Sequence, residues 1–256
     1  MCRVKVVPWM AVLWFCSTPA RALDAFEIQV YGSETAPAGG VGVETHINSV
    51  LGGTRETSAD GELPTDRVSH LTLEPHLGVT SWLELGFYVQ GALQPGPRVD
   101  FGGVKMRAKV RYPGKVAGLF GFALNGEFAT IPQAYEAGRL GAEFRPVMDV
   151  ELWKFYASVN AILSVPHTGS DVGRPAFEPC ATVLFKATDY LSSGLEYYAD
   201  LGPVDHLSRP ADQVHRLFGV VNLGKDPVAV HLGAGYGVTG NERFFFKAIL
   251  TGGLGD

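Results

Sequence analysis

The sequence predicts an all-β protein: a closed antiparallel transmembrane β-barrel of about twelve strands, wound as an up-and-down meander. Three observations carry that prediction. Apolar and polar residues alternate with a period of two from about residue 40 to the end, whereas the helical period is nearly absent. Beyond the first residues no apolar run approaches the roughly eighteen needed for a spanning helix, so a membrane protein of this sequence must close a barrel. Short and long connections also take turns along the chain, as they do in outer-membrane barrels.

The chain of 256 residues is 46% hydrophobic and only 18% charged, against roughly 25% charged for an average soluble domain. Its start reads as an export signal over residues 1–22, with Arg3 and Lys5 as the basic region, Val6–Phe15 as the apolar stretch and Ala20-Arg21-Ala22 as the cleavage site. Trp14 and Phe15 are too bulky for Cys16 to be a lipoprotein cysteine. Cleavage removes Arg3, Lys5 and Arg21 but no acid, so the exported chain is more acidic than the formal −5 of the whole, which argues against nucleic acid as a partner. Cys2 and Cys16 leave with the signal. Cys180 then has no partner, and no internal disulfide can form.

Residues 23–40, containing Phe26, Ile28, Val30 and Tyr31, precede the first clear strand and read either as a plug near the periplasmic mouth or as an extra strand against the wall. The barrel itself spans 41–256. Its strands are expected at Val41–Leu51, His70–Leu77, Leu83–Gln90, Val104–Arg111, Phe120–Phe128, Leu140–Val150, Phe155–Val165, Phe177–Lys186, Leu191–Leu201, Leu217–Leu223, Val228–Val238 and Phe244–Leu254. The clearest is Leu83–Gln90, where Leu83, Leu85, Phe87 and Val89 alternate with Glu84, Gly86, Tyr88 and Gln90. Gly78-Val79-Thr80-Ser81 should turn the preceding strand into it.

Tight connections near 79–82, 113–117, 152–154, 187–190 and 224–227 are expected at the periplasmic end; longer ones near 52–66, 166–173 and 202–212 are expected outside. Trp82, Tyr112, Trp153 and Tyr190 sit at four of the tight turns and should form an aromatic girdle against the lipid interface. A soluble sandwich would alternate too. What favours a barrel is the polar face, where Gly86, Gly121, Gly141, Gly194, Gly233, Gly235 and Gly237 recur among acids and bases.

The most distinctive polar feature is a ladder of four bases on one face of one strand, Lys105, Arg107, Lys109 and Arg111. Inside a pore such a stripe would draw anions. The competing expectation, which burial favours, is that these cations pair with Glu74, Glu84, Glu127, Glu143, Asp149, Glu178, Glu196 and Asp200 across the lumen. Arg145 belongs with the same solute-path candidates. About eight strands give a filled interior and about sixteen to eighteen a water channel, so twelve predict a narrow path.

At Phe26-Glu27-Ile28-Gln29-Val30-Tyr31, Leu195-Glu196-Tyr197-Tyr198 and Gly235-Tyr236-Gly237-Val238-Thr239-Gly240 the chain resembles uncharacterised exported proteobacterial proteins similar to the outer-membrane family named for the phenol-degradation meta pathway. The resemblance implies a barrel with a loosely assigned transport role and brings no catalytic residues. Such barrels commonly end in Phe, read by the barrel-assembly machinery; here the sequence reads Gly252-Gly253-Leu254-Gly255-Asp256, with Leu254 as the expected substitute.

For catalysis the histidines are His46, His70, His76, His167, His206, His215 and His231, with Ser69, Ser164 and Ser170 nearby. His167-Thr168-Gly169-Ser170-Asp171 is the best local cluster for a lipid-acting enzyme, although Gly, Ser and Asp also make an ordinary polar turn. His70 and His76 are too far apart along one strand to share an ion, while His46 and His70 could approach across strands. Gly235–Gly240 lacks the helix a phosphate loop opens. The sequence thus predicts no cofactor, no metal and no enzyme activity, with outer-membrane lipids, the assembly machinery and small solutes as partners. A narrow channel is the expected function and a closed structural or adhesive barrel the alternative.

Overall fold

The computed structural model describes residues 24–136, 140–169, 172–225 and 227–254; residues 1–22, expected to be an export signal, and Ser170 and Asp171 lie outside them. No helix of the described residues is long and apolar enough to cross a membrane. Their strands are β1 (Val41–Gly52), β2 (Ser69–Thr80), β3 (Leu83–Leu93), β4 (Val99–Arg111), β5 (Phe120–Thr130), β6 (Leu140–Leu152), β7 (Phe155–Asn160), β8 (Leu163–Pro166), β9 (Ala176–Phe177), β10 (Cys180–Thr188), β11 (Leu191–Asp200), β12 (Val214–Lys225), β13 (Val228–Gly237) and β14 (Phe244–Leu254). All neighbours run antiparallel, and β1 pairs with both β2 and β14, which closes the sheet.

The fourteen segments make a twelve-strand wall because two strands are interrupted. β7 and β8 follow one another along β6, with a break at Ala161–Ile162. β9 and β10 are separated by Glu178 and Pro179, and proline has no N–H to give the ladder. The breaks are bridged: Glu178 N donates to Ile162 O at 2.9 Å, and Ala161 N to Pro146 O at 3.0 Å. Alternation in the sequence continues through both breaks, which is why it predicts unbroken strands there.

Side chains follow the predicted phase. On β3, Leu85, Phe87 and Val89 are exposed on the outer face while Glu84, Tyr88 and Gln90 are buried inside. Outward apolar residues on every long strand leave a face that only lipid can cover favourably. Trp82, Tyr112, Trp153 and Tyr190 are all exposed at the end with the short turns. Trp153 takes a left-handed backbone, φ 55°, as the twist of a two-residue hairpin turn requires. A second belt was not legible in the sequence: Tyr197, Leu217, Tyr236 and Phe244 lie side by side across β11–β14 near the long-loop end. Several connections differ from expectation, the turn at 187–190 shrinking to Asp189 and Tyr190 among them. β2 runs to Thr80, so the first turn is only Ser81 and Trp82, and residues 112–119 form a longer loop closed by the Val116–Phe120 bridge.

Candidate functional site: a lumen divided by its own N-terminal segment

Residues 24–40 run through the lumen as extended chain. They are not a strand of the wall. Most of the backbone polar groups of 26–36 that find a partner find wall side chains: Tyr31 N donates to Asn160 Oδ1 at 2.8 Å, Ser33 N to Asp149 Oδ2 at 2.6 Å and Ala36 N to Glu84 Oε2 at 2.6 Å. In return Thr72 Oγ1 donates to Phe26 O, Lys247 Nζ to Ile28 O, and Ser158 Oγ and Asn160 Nδ2 to Tyr31 O. Buried polar backbone needs such partners, and inside a barrel with no free edge only side chains can supply them. Contacts with wall backbone gather at its end, on the way into β1: Gly39 N donates to Gly78 O at 2.7 Å, Gly40 O accepts from Gly78 N at 2.9 Å, and Thr35 Oγ1 donates to Ser81 O at 3.3 Å.

Apolar anchors reinforce these bonds. Ile28 packs among Val50, Ile162, Cys180, Tyr198, Phe218, Val220 and Phe245; Phe26 packs with Val68, Ala92 and Ile131. Each buried side chain of this size contributes about 1.5–3 kcal/mol. Glycines make the room: Gly102 lies under the Phe26 ring, Gly86 under the Arg107 guanidinium and Gly233 under the Lys247 stem.

Every charged residue singled out as a path candidate points inward, and the basic ladder is spent on pairing. Lys105 binds Asp24, Glu27 at 3.3 Å and Glu127 at 3.5 Å. Arg107 bridges Glu74 at 2.5 Å and Glu84 at 2.6 Å. Lys109 donates to Glu34 O and Arg111 pairs with the Glu34 carboxylate, so the ladder's lower half grips the segment. Arg145 bridges Glu143 at 2.7 Å and Glu27 at 3.6 Å, and Lys247 binds Glu196 and the Tyr198 hydroxyl. Tyr31 sits among three of these cations, with Arg145 4.4 Å, Lys109 5.2 Å and Arg107 5.5 Å from its ring centre. Of the two expectations for the ladder the structure shows the one that burial favours, a scaffold in which Lys105, Arg107 and Arg111 are paired and Lys109 is held by a carbonyl, because an enclosed cation is costly without its partner.

Two cavities lie on either side of the segment. The larger, about 650 Å³, opens toward the long loops and is lined by apolar Phe26, Val68 and Ile131 and by Glu127, Glu143 and Glu178. Loops 53–68 and 131–136 fold over it together: Leu63 N donates to Ala134 O at 2.7 Å, and Gln133 Nε2 to Asp60 O at 2.8 Å. Tyr135 stacks edge-on against Phe26 and donates to Asp100 at 2.7 Å; burial and that carboxylate push its phenol up to about 12. The smaller cavity, about 300 Å³, faces the short turns and is lined by Tyr31, Glu34, Glu44, Glu74, Arg107 and Asp149 among others. In both, carboxylates outnumber Arg and Lys.

The histidines scatter. His167 and His206 are exposed, and His215 meets Tyr197 near the long-loop rim at 2.6 Å. His46 and His70 do not converge: His46 is in register with Thr72, and His70 with Asn48 and Ala92, where it meets the Phe26 ring at 4.7 Å. Instead His46 Nε2 lies 3.4 Å from Glu44 and 3.3 Å from Glu74. Glu44 was not singled out from sequence. It sits directly opposite Glu74 in the β1–β2 register, a juxtaposition that only strand pairing reveals.

No protein-family model matches the chain, and no curated protein matches it. Solved structures do. KdgM porin superposes with a TM-score of 0.57 at 6% identity, covering 82% of this chain and 97% of its own. An outer membrane channel from Pseudomonas putida F1 gives 0.57 at 12%, covering 89% and 100%. KdgM porin in complex with disordered oligogalacturonate gives 0.52 at 7%, covering 83% and 97%. At these identities the likeness is one of fold, and this chain has the fold of a closed antiparallel barrel of the outer-membrane type.

Proposed function

We propose that the protein is an outer-membrane channel for small solutes in which residues 24–40 act as the plug. The observation that carries this reading is the pair of cavities on one axis, separated by a segment that the wall holds with side chains and not with its ladder. Such a segment can leave without breaking any strand pairing. Short turns face the periplasm in barrels of this type, so the smaller cavity is the periplasmic vestibule and the larger the external one. The resemblance to an outer-membrane transport family is consistent with this role, as are lipids and the assembly machinery as partners. The surplus of carboxylates in both vestibules favours cationic or neutral solutes and disfavours acidic sugars such as those bound by KdgM porin.

The test is electrical. Signal-free protein and a variant lacking residues 24–37 are folded, checked for the heat-dependent gel mobility of an intact barrel, and added to planar bilayers. Deletion should raise the unitary conductance about tenfold or more and give a cation-selective reversal potential in a salt gradient. A folded deletion variant that leaves bilayers tight overturns the reading. It would favour the second one, a sealed structural barrel, for which the observation is the fully buried Lys247 tied at once to Ile28, Glu196 and Tyr198.

A further inference from the structure

The geometry points to a divalent metal site on the inner wall, made by Glu44 and His46 of β1 with Glu74 of β2 and completed from the plug by Gln29; we propose that it takes a zinc-class ion. Alternation places Glu44 and His46 on the same inward face, and antiparallel register sets Glu74 opposite Glu44. Two carboxylates directly opposite one another repel unless something positive lies between them. Arg107 satisfies Glu74 Oε1 at 2.5 Å, whereas no Lys or Arg of the described residues forms an ion pair with Glu44, which meets Gln29 and the His46 imidazole.

The spacing fits coordination. A tetrahedral ion with bonds of about 2.0–2.1 Å has ligand atoms about 3.3–3.4 Å apart. His46 Nε2 lies 3.4 Å from Glu44 Oε2 and 3.3 Å from Glu74 Oε2, and one ligand atom from each of the three residues lies within 4.8 Å of the others. The amide end of Gln29 is 3.1 Å from Glu44 Oε2, and its Oε1 is buried without a hydrogen-bond partner; turning the amide over presents that oxygen to the ion. His46 is fully buried, with Nδ1 also unpartnered. His76, two residues from Glu74 on the same face, leaves its own Nδ1 unpartnered beside Glu44 and the periplasmic vestibule, which gives the ion its way in. Imidazole with carboxylates selects zinc-class ions over calcium or magnesium, which prefer oxygen alone.

Because Gln29 belongs to residues 24–40, a bound ion fastens plug to wall. The proposal does not depend on solute passage, and its test needs no conductance. Chelator-stripped protein in detergent is titrated with Co²⁺, which shows visible d–d absorption in a tetrahedral site, and the band is then displaced with Zn²⁺. One saturating site is expected, abolished in His46→Gln and weakened about tenfold in Gln29→Ala, which leaves the wall untouched. Amide exchange over residues 28–32 should slow with Zn²⁺ in the native chain and not in Glu44→Gln. Absence of a saturable band, or a band unchanged in folded His46→Gln, overturns the site. Zn²⁺ binding with unchanged exchange at 28–32 overturns the link to the plug.

Discussion

The wall and the segment it encloses are both extended chain, yet opposite bonds hold them. In the wall the backbone pairs mainly with the neighbouring strands, so removing one strand opens the cylinder. Residues 26–36 are paired with the side chains of Asn160, Asp149, Glu84, Thr72, Ser158 and Lys247, any of which water can replace. The wall is therefore a cooperative unit and the segment a set of separate attachments. On the proposed reading of the segment as a plug, a barrel closed to lipid that opens along its axis can be assembled from those two kinds of bonding.

Mutations that strike one region and spare the other sharpen the comparison. The largest effect is expected at Arg107, which belongs to the wall, bridges Glu74 and Glu84, and stacks on Tyr31 of the segment. Arg107→Ala removes the cation between two buried carboxylates and should cost about 3–5 kcal/mol, read as a lower urea midpoint for unfolding from lipid vesicles. A loss below about 1 kcal/mol would mean that the ladder is solvated and the pairing incidental. Phe87→Arg, at the centre of β3 on the lipid face, should destabilise the wall by about 2–4 kcal/mol in the same experiment and leave the plug's attachments as they are.

The same contrast explains what could be read in advance. Outward residues such as Leu85, Phe87 and Val89 obey a local rule, two-residue alternation, that needs no knowledge of the neighbouring strand. The inward orientation of Lys105, Arg107 and Lys109 follows from the same phase. So does that of the wall partners Glu74, Glu84 and Glu127. The other partners of Lys105 do not follow from it: Glu27 and Asp24 come from a segment with no period, some eighty positions away in the chain. Pairing across strands is invisible for the same reason, and so neither the Glu44–Glu74 juxtaposition nor the Tyr197–Tyr236–Phe244 row could be found without the register. The breaks before Leu163 and Cys180 are not legible because alternation runs through both of them, and Pro179 removes a ladder N–H without changing the phase.

Asn160 offers the smallest and most selective perturbation. Its amide grips Tyr31 from both sides, accepting from the Tyr31 N–H at 2.8 Å and donating to the Tyr31 carbonyl at 2.9 Å. Its own place in the wall is fixed by the backbone ladder with Val147 and Cys180, which a change of side chain leaves intact. Asn160→Ala should therefore leave the unfolding free energy from urea within about 0.5 kcal/mol of native while weakening the local attachment by about 1–2 kcal/mol. Amide exchange at Tyr31 reports the difference, with roughly tenfold faster exchange expected there and no change at strand amides such as Val183. Equal acceleration at both positions would show that wall and segment open as one unit, and the division between a cooperative cylinder and an independently held plug would fail.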